Sequence, residues 1–186
     1  MLQELGVPFE VLDPDIDEKA IRKESPEDLV MALAHAKADA LLERLGPVDE
    51  PLYLVTADQV VVYNDTIREK PTSEAEAREF ISGYSKAPAK RVGAIVVNHL
   101  GTGKTYQSLD IAEVRFQPIP ENVIDILIKE GTVYKIAGGL MVEHELVLPL
   151  VSEVYGTMDS IIGLGKHVVA KLLLEAASDM QEMQES

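Results

Sequence analysis

No cysteine occurs in this chain of 186 residues. Disulfides, thiolate metal sites and a cysteine nucleophile are therefore excluded, which suits a reducing compartment. Positive charge is scarce too. The 17 Lys and Arg face 32 Asp and Glu, for a formal net charge of −15. A chain of that sign does not wrap a nucleic-acid backbone, because such binding depends on Lys and Arg neutralising phosphates. A small phosphorylated ligand is still compatible, since it needs only a few local cations and a divalent metal held by acids. No apolar run reaches the ~18–20 residues of a membrane span. The start, Met1-Leu-Gln-Glu-Leu-Gly6, has neither the basic flank nor the apolar core of a signal peptide. The expected location is the cytoplasm, without membrane or nucleic-acid partners.

Several catalytic signatures are also missing. Gly101-Thr-Gly-Lys104-Thr105 looks like a phosphate loop, but Asn98 stands where that loop needs its first glycine, and a strand pattern follows instead of a helix. A hairpin turn is the better reading. His35, His99, His144 and His167 show no metal-ligand spacing, and no Gly-x-Ser-x-Gly elbow is present.

What remains is an ordinary globular composition, 46% apolar and 26% charged. Leu2–Leu5 before Gly6 reads as the end of a helix, and Phe9–Leu12 as a strand. Ser25-Pro26-Glu27-Asp28 is a helix start, with an N-cap serine, a first-turn proline and acids at the positive dipole end. Leu29, Val30, Leu33, Ala34, Lys37 and Leu41 follow at helical spacing until Gly46-Pro47. Residues 52–57 and 59–63 form two strands or one bent strand, turned by Asn64-Asp65. Ser73-Glu-Ala-Glu76 is a capping box for a helix ending near Gly83. Residues 92–97 and 106–116 alternate as a hairpin. Pro120 opens a helix to Gly131, and Leu164, Val168, Val169, Leu172, Leu173 and Ala176 stripe a last helix before a polar tail at 178–186. Helices alternating with strands, then a hairpin, give an α/β fold.

The most informative segment is Leu52-Tyr-Leu-Val-Thr-Ala-Asp58-Gln59-Val-Val-Val62. It is an apolar, β-branched strand with an acid in its middle. A buried carboxylate is expensive unless it is paired. Asp58 must therefore meet a cation, a metal or a donor, or open into a cleft. Candidate partners are dispersed: Asp17-Glu18 in a turn, Lys37 on a helix, Lys70 before Pro71, and Glu143 near Gly138-Gly139. Acids can hold a hard divalent cation, and lysines can neutralise phosphate. Taken singly, each has a plainer reading, such as a lysine snorkelling from its helix.

At these residues the chain resembles the Maf family of nucleoside triphosphate pyrophosphatases. The resemblance runs in order through Asp17-Glu18, Leu33-Ala34-His-Ala-Lys37-Ala38, Ala57-Asp58-Gln59-Val60-Val61, Lys70-Pro71 with Glu74-Ala75, Ile81-Ser82-Gly83, Ala137-Gly138, and Gly156 to Leu164. It implies a mixed, twisted sheet flanked by helices, in a two-lobed single domain of the Maf and ITPase type over residues 1–177. It further implies hydrolysis of a nucleotide to the monophosphate and pyrophosphate with a divalent cation (Mg, Mn or Co), in a homodimer. Asp58 takes the place of the catalytic acid, either as general base or as metal ligand. Glu18 joins it at the metal, and Lys37 and Lys70 bind phosphate. Gln59 and Glu143 are similar to the branch that prefers 7-methyl-GTP, with UTP and CTP as further substrates. N7-methylation makes guanine cationic, and an anionic Glu143 suits it.

Three departures accompany the resemblance. These residues begin level with the second half of the family's first helix, so its preceding strand and Ser-x-Ser-x-Arg-Arg loop have no counterpart. Ser85-Lys86-Ala87-Pro88 stands where the family has a histidine, and Gly165 replaces the proline of Val-Gly-Leu-Pro. The expectation from them is lowered turnover. The alternative function is a catalytically weak or inactive nucleotide-binding paralogue.

Overall fold

A computed structural model describes residues 6–46, 48 and 52–184, with side chains as far as residue 179. The helix end expected at Leu2–Leu5 lies outside the described residues. Five strands, β1 (Tyr53–Tyr63), β2 (Thr66–Arg68), β3 (Ala89–His99), β4 (Thr105–Phe116) and β5 (Val151–Tyr155), form one antiparallel sheet in the order β2-β1-β3-β4-β5. By contact the chain divides into two compact units. The first comprises Met1–Asp58, Gly93–Asp110 and Leu164–Ser186, and the second Gln59–Val92 and Ile111–Gly163.

In the first unit, α1 spans Pro26–Leu45. Ser25 accepts the Asp28 N–H at 3.0 Å, the N-cap its sequence announced. Gly46, at φ 65°, closes the helix by donating to the Leu42 carbonyl. Its buried stripe is Leu29, Val30, Leu33, Ala34, Ala38 and Leu41, and the last two pack on Leu54 of strand β1, Tyr53–Tyr63. Strand β1 is continuous, which settles the two-strand alternative. Ile95 and Val97 of β3, Ala89–His99, pack with Val168, Val169 and Leu172 of α5, Lys166–Gln184. Thus the stripe read from the sequence is the face that α5 buries. The helix runs on through residues 178–184. There Asp179 accepts from Tyr106 Oη at 2.8 Å and Lys104 Nζ at 3.1 Å. The segment Gly101–Lys104 is indeed a turn, followed by strand β4, Thr105–Phe116.

One expectation is corrected. Residues 9–12 form no strand. They carry no assigned secondary structure, and Phe9 and Val11 are 42% and 85% exposed. An apolar alternating segment becomes a strand only when a ladder partner satisfies its backbone, and none is present among the described residues.

In the second unit, Asn64 and Asp65 both adopt positive φ, 47° and 60°, and turn β1 into β2, Thr66–Arg68, with Tyr63 opposite Thr66. That is the two-residue turn favoured by the strand twist. α2 spans Glu74–Gly83, and Ser73 accepts the Glu76 N–H at 3.2 Å. The Glu76 carboxylate reaches one residue beyond the usual box, to the N–H and hydroxyl of Thr72. α3 spans Glu121–Glu130 and stops at Gly131, in the left-handed region. Arg78 ties α2 to α3 through Glu121 and Asp125 at 3.0 and 2.7 Å. Two elements gave no clear sequence signal: β5, Val151–Tyr155, and α4, Met158–Ile162, which is capped by Thr157. β5 pairs with the end of β4 across a bulge at Arg115/Phe116. The unit's core runs from Ile81 and Tyr84 through Val114 and Phe116 to Ile124, Leu127 and Val147.

Candidate functional site

Thr56 and Asp58 lie on one face of β1 by the two-residue period of a strand, and Ala34 and Lys37 share a face of α1 one turn apart. The Thr56 hydroxyl donates to the Ala34 carbonyl at 2.9 Å, and both groups are buried. This bond fixes the helix against the strand, so the next residue on each face meets its counterpart. Lys37 Nζ therefore reaches Asp58 Oδ1 at 2.6 Å. The same ammonium pairs with Glu18 Oε1 at 2.8 Å, from a short 3₁₀ turn at Glu18–Ala20 capped by Asp17.

The three side chains differ in exposure: Asp58 12%, Lys37 17%, Glu18 54%. Burial alone works to lower the Lys37 pKa. Hydrogen bonds and charge from Asp58 and Glu18 outweigh it, and the group titrates above the ordinary 10.5. The central-strand acid thus found a cation: the Lys37 ammonium is clamped between two carboxylates.

That donor set suits a hard divalent cation. Among the described residues no group of three or more His, Asp or Glu side chains gathers at one point. A Mg²⁺-type ion commonly takes only one or two carboxylates and completes its shell with water and substrate phosphate. Glu18 and Asp58 are the two carboxylates that converge here, on the Lys37 ammonium.

The other site residues belong to the second unit. Gln59, the residue after Asp58 in β1, lines a cavity of about 310 Å³ there together with Glu143. Tyr84, Lys90, Arg91 and Phe116 contribute to the same wall. The volume is within the range of small-molecule pockets, which are mostly apolar with a few placed polar groups. Arg91 donates to the carbonyls of Ser160 and Gly163, fastening the segment around α4 to β3. Gly138 is pinned on both sides: its N–H donates to the Glu69 carbonyl at 3.0 Å and its carbonyl accepts from Tyr84 Oη at 2.8 Å. Its φ is +74°, and an added Cβ would lie 2.8 Å from Tyr84 Oη and 2.9 Å from Val61 Cγ1. Only glycine fits there. Lys70 sits exposed in the loop between β2 and α2, beside the Glu69 carbonyl that holds Gly138, and is not part of the cavity wall.

The structure therefore gathers Glu18, Lys37 and Asp58 in one unit and Gln59 with Glu143 in the other. Sequence reasoning did not identify Thr56 or Tyr84. Thr56 carries a faint signal, a polar residue two before Asp58 on a buried face. Tyr84 carries none, because its partner is a backbone carbonyl 54 residues away.

The departures have structural consequences as well. Ser85 Oγ accepts the Ile119 N–H at 2.9 Å. The Gly165 N–H donates to Asp110 Oδ2 at 2.9 Å, a bond that a proline could not make.

Comparison with known proteins identifies the family. The sequence matches the Maf family, described as Maf-like protein, over residues 1–176. It is 39% identical to a 7-methyl-GTP pyrophosphatase of Dictyostelium discoideum, over 95% of this chain and 91% of that one. It is 29% identical to a dTTP/UTP pyrophosphatase of Halalkalibacterium halodurans, covering 88% and 83%. A 7-methyl-GTP pyrophosphatase of Vibrio vulnificus is 29% identical over 72% of this chain and 67% of its own. With a match along almost its whole length, this chain belongs to the Maf family.

Proposed function

We propose that the protein hydrolyses a nucleoside triphosphate to the monophosphate and pyrophosphate, with 7-methyl-GTP or a similar nucleotide preferred and UTP or CTP as poorer substrates. The observation that carries this reading is the Lys37 ammonium bridging Asp58 and Glu18 at 2.6 and 2.8 Å. A carboxylate and an ammonium held together in a partly buried place suit water attack on a phosphoanhydride. Water attacks the α-phosphorus, and the bond from that phosphorus to the α,β-bridging oxygen breaks. Pyrophosphate leaves with the electron pair, and Asp58 accepts the water's proton as general base. Lys37 offsets the negative charge that grows on the phosphate oxygens, and Lys70 is assigned to the phosphates on its place in the family pattern. A divalent cation (Mg, Mn or Co) held by Glu18 and Asp58 would polarise those oxygens and acidify the water.

Base recognition is assigned to the cavity of the second unit. A guanine edge presents N–H donors that the Glu143 carboxylate accepts, and N7-methylation adds a positive charge for it to offset. Gln59 supplies both a donor and an acceptor. The homodimer and the cytoplasmic setting are part of the same proposal, and light scattering at twice the chain mass checks the first.

The test is pyrophosphate release from 7-methyl-GTP, UTP, dTTP and CTP, with Mg²⁺, with Mn²⁺ and with chelator, on protein shown to be folded by circular dichroism. Turnover led by 7-methyl-GTP and lost in chelator is expected. Asp58→Asn should stay folded and lose at least ~10²-fold in rate, the usual contribution of a general base. Equal rates in that variant overturn the assignment. Saturable binding without turnover by the folded wild type would leave a nucleotide-binding paralogue.

A further inference from the structure

We propose that Tyr84 is a positioning residue for base selectivity: through Gly138 it sets the loop that presents Glu143 to the cavity. The inference rests on the function proposed above and extends it to a residue that no part of the family pattern singles out.

Tyr84 follows α2 directly and is 2% exposed. Its ring is fixed from several sides. It stands edge-on to Tyr63 at 5.6 Å and tilted to Phe116 at 6.3 Å, and the Arg68 guanidinium lies 5.0 Å from its centre. That guanidinium is itself held over the Tyr63 ring at 3.8 Å and donates to the Phe80 carbonyl at 2.8 Å. A ring packed this way delivers its hydroxyl to one point, and that point is the Gly138 carbonyl, at 2.8 Å. Burial raises the phenol above its ordinary value of 10 more than Arg68 lowers it, so the O–H remains a donor at neutral pH.

Gly138 begins the stretch that ends in Glu143. With its N–H on Glu69 and no room for a side chain, its backbone has one available setting. Beyond it Val142 is buried in the core, and the His144 N–H returns to the Met141 carbonyl at 3.2 Å to close a turn around Glu143. His144 Nδ1 accepts the Leu146 N–H, which leaves Nε2 to donate to Glu130 at 3.0 Å. The far end is thus fastened from α3, and the near end hangs on the Tyr84 hydroxyl. Removing that hydroxyl leaves a buried carbonyl without its donor, and the loop relieves this by shifting. A carboxylate that reads a base edge must be placed within about 0.5 Å, so the shift is felt in selectivity.

The experiment is a double-mutant cycle read as a ratio: kcat/KM for 7-methyl-GTP over that for UTP. Wild-type protein is measured first. Absence of pyrophosphate release there refutes the proposed function and not the role of Tyr84. Given release, Glu143→Gln is expected to lower the ratio about tenfold and Tyr84→Phe about three- to tenfold, the scale of one lost polar contact. Because Tyr84 acts through Glu143, the double variant should be no less selective than Glu143→Gln alone. Tyr84→Phe with the wild-type ratio, equal losses on both substrates, or multiplying effects in the double variant overturn the proposal. Substitution of Tyr84 by p-aminophenylalanine keeps the ring and a donor and is expected to keep the ratio. A fall in the ratio in that folded protein overturns it independently.

Discussion

Lys37→Met separates the structural from the chemical role of the clamped lysine. Methionine keeps most of the apolar stem and deletes the ammonium. The Asp58 contact is short, and both of its members are more than four-fifths buried, so losing it costs about 2 kcal/mol, as for other hydrogen bonds to charged groups. Glu18 is more than half exposed, and its share is screened to ~0–1 kcal/mol. The sum, ~2–3 kcal/mol, leaves a domain of ordinary stability folded and lowers Tm by ~5–10 °C. Adding Asp58→Asn removes the carboxylate charge that the Lys37 ammonium balanced. The double variant should therefore be more stable than the two single losses added together, by at least ~1 kcal/mol. Activity behaves differently. Lys37→Met should lose ~10²-fold or more in kcat/KM, and the second substitution restores none of it. Differential scanning calorimetry and pyrophosphate release on the four proteins give both cycles. Additive melting temperatures, or a single variant melting within a degree of wild type, would refute the ion pair as described. The pH dependence has a definite sign. The folded pKa of Lys37 lies above the ordinary 10.5, so its contribution is complete below that value and is lost as pH rises through the folded value. On the alkaline side, the Tm gap between wild type and Lys37→Met should narrow as pH rises through that folded value.

Other outcomes follow from the same contacts. Gly165→Pro takes the N–H from Asp110 and is expected to lower stability by ~1–3 kcal/mol, seen in urea unfolding. Gly138→Ala, at φ +74° and against Tyr84 and Val61, should melt lower than Gly103→Ala, which sits at φ +70° with open space around it; equal losses would mean that the crowding is absent. Tyr106, then Lys104, hold the Asp179 carboxyl below its ordinary 3.8. That bond contributes above 3.8 and is lost as pH falls through the folded value, so the protection factors of amides in the last turns of α5 should fall on acidification, and Tyr106→Phe should shrink that acid-dependent step.

Much of the fold was legible because local chemistry decided it. Ser25, Ser73 and Gly131 end helices through bonds to their own neighbours, and Asn64-Asp65 turns a strand because these residues tolerate positive φ. The stripe on α5 was readable because burial of one face has a period. β5 and α4 were not legible. They are five residues each and owe their state to the register of β4 and to a single capping threonine. Residues 9–12 had the composition of a strand and no ladder, since pairing is a property of two segments rather than one.

The candidate site divides in the same way. Sequence alone determined that Asp58 needed a partner, because a carboxylate in an apolar strand is too costly to bury unpaired. The resemblance to the Maf family added Glu18, Lys37, Lys70, Gln59 and Glu143 as candidates for phosphate and base chemistry. Which of them meet was a tertiary matter. Lys37 reaches Asp58 where the Thr56 hydroxyl bonds α1 to β1, and Glu143 lines a cavity with Gln59 beside a Gly138 carbonyl that a tyrosine 54 residues away holds. A charge and the energy of burying it are properties of a single residue and its neighbours in sequence. A 2.6 Å contact between residues 21 apart depends on how two elements pack, and only the folded chain fixes that.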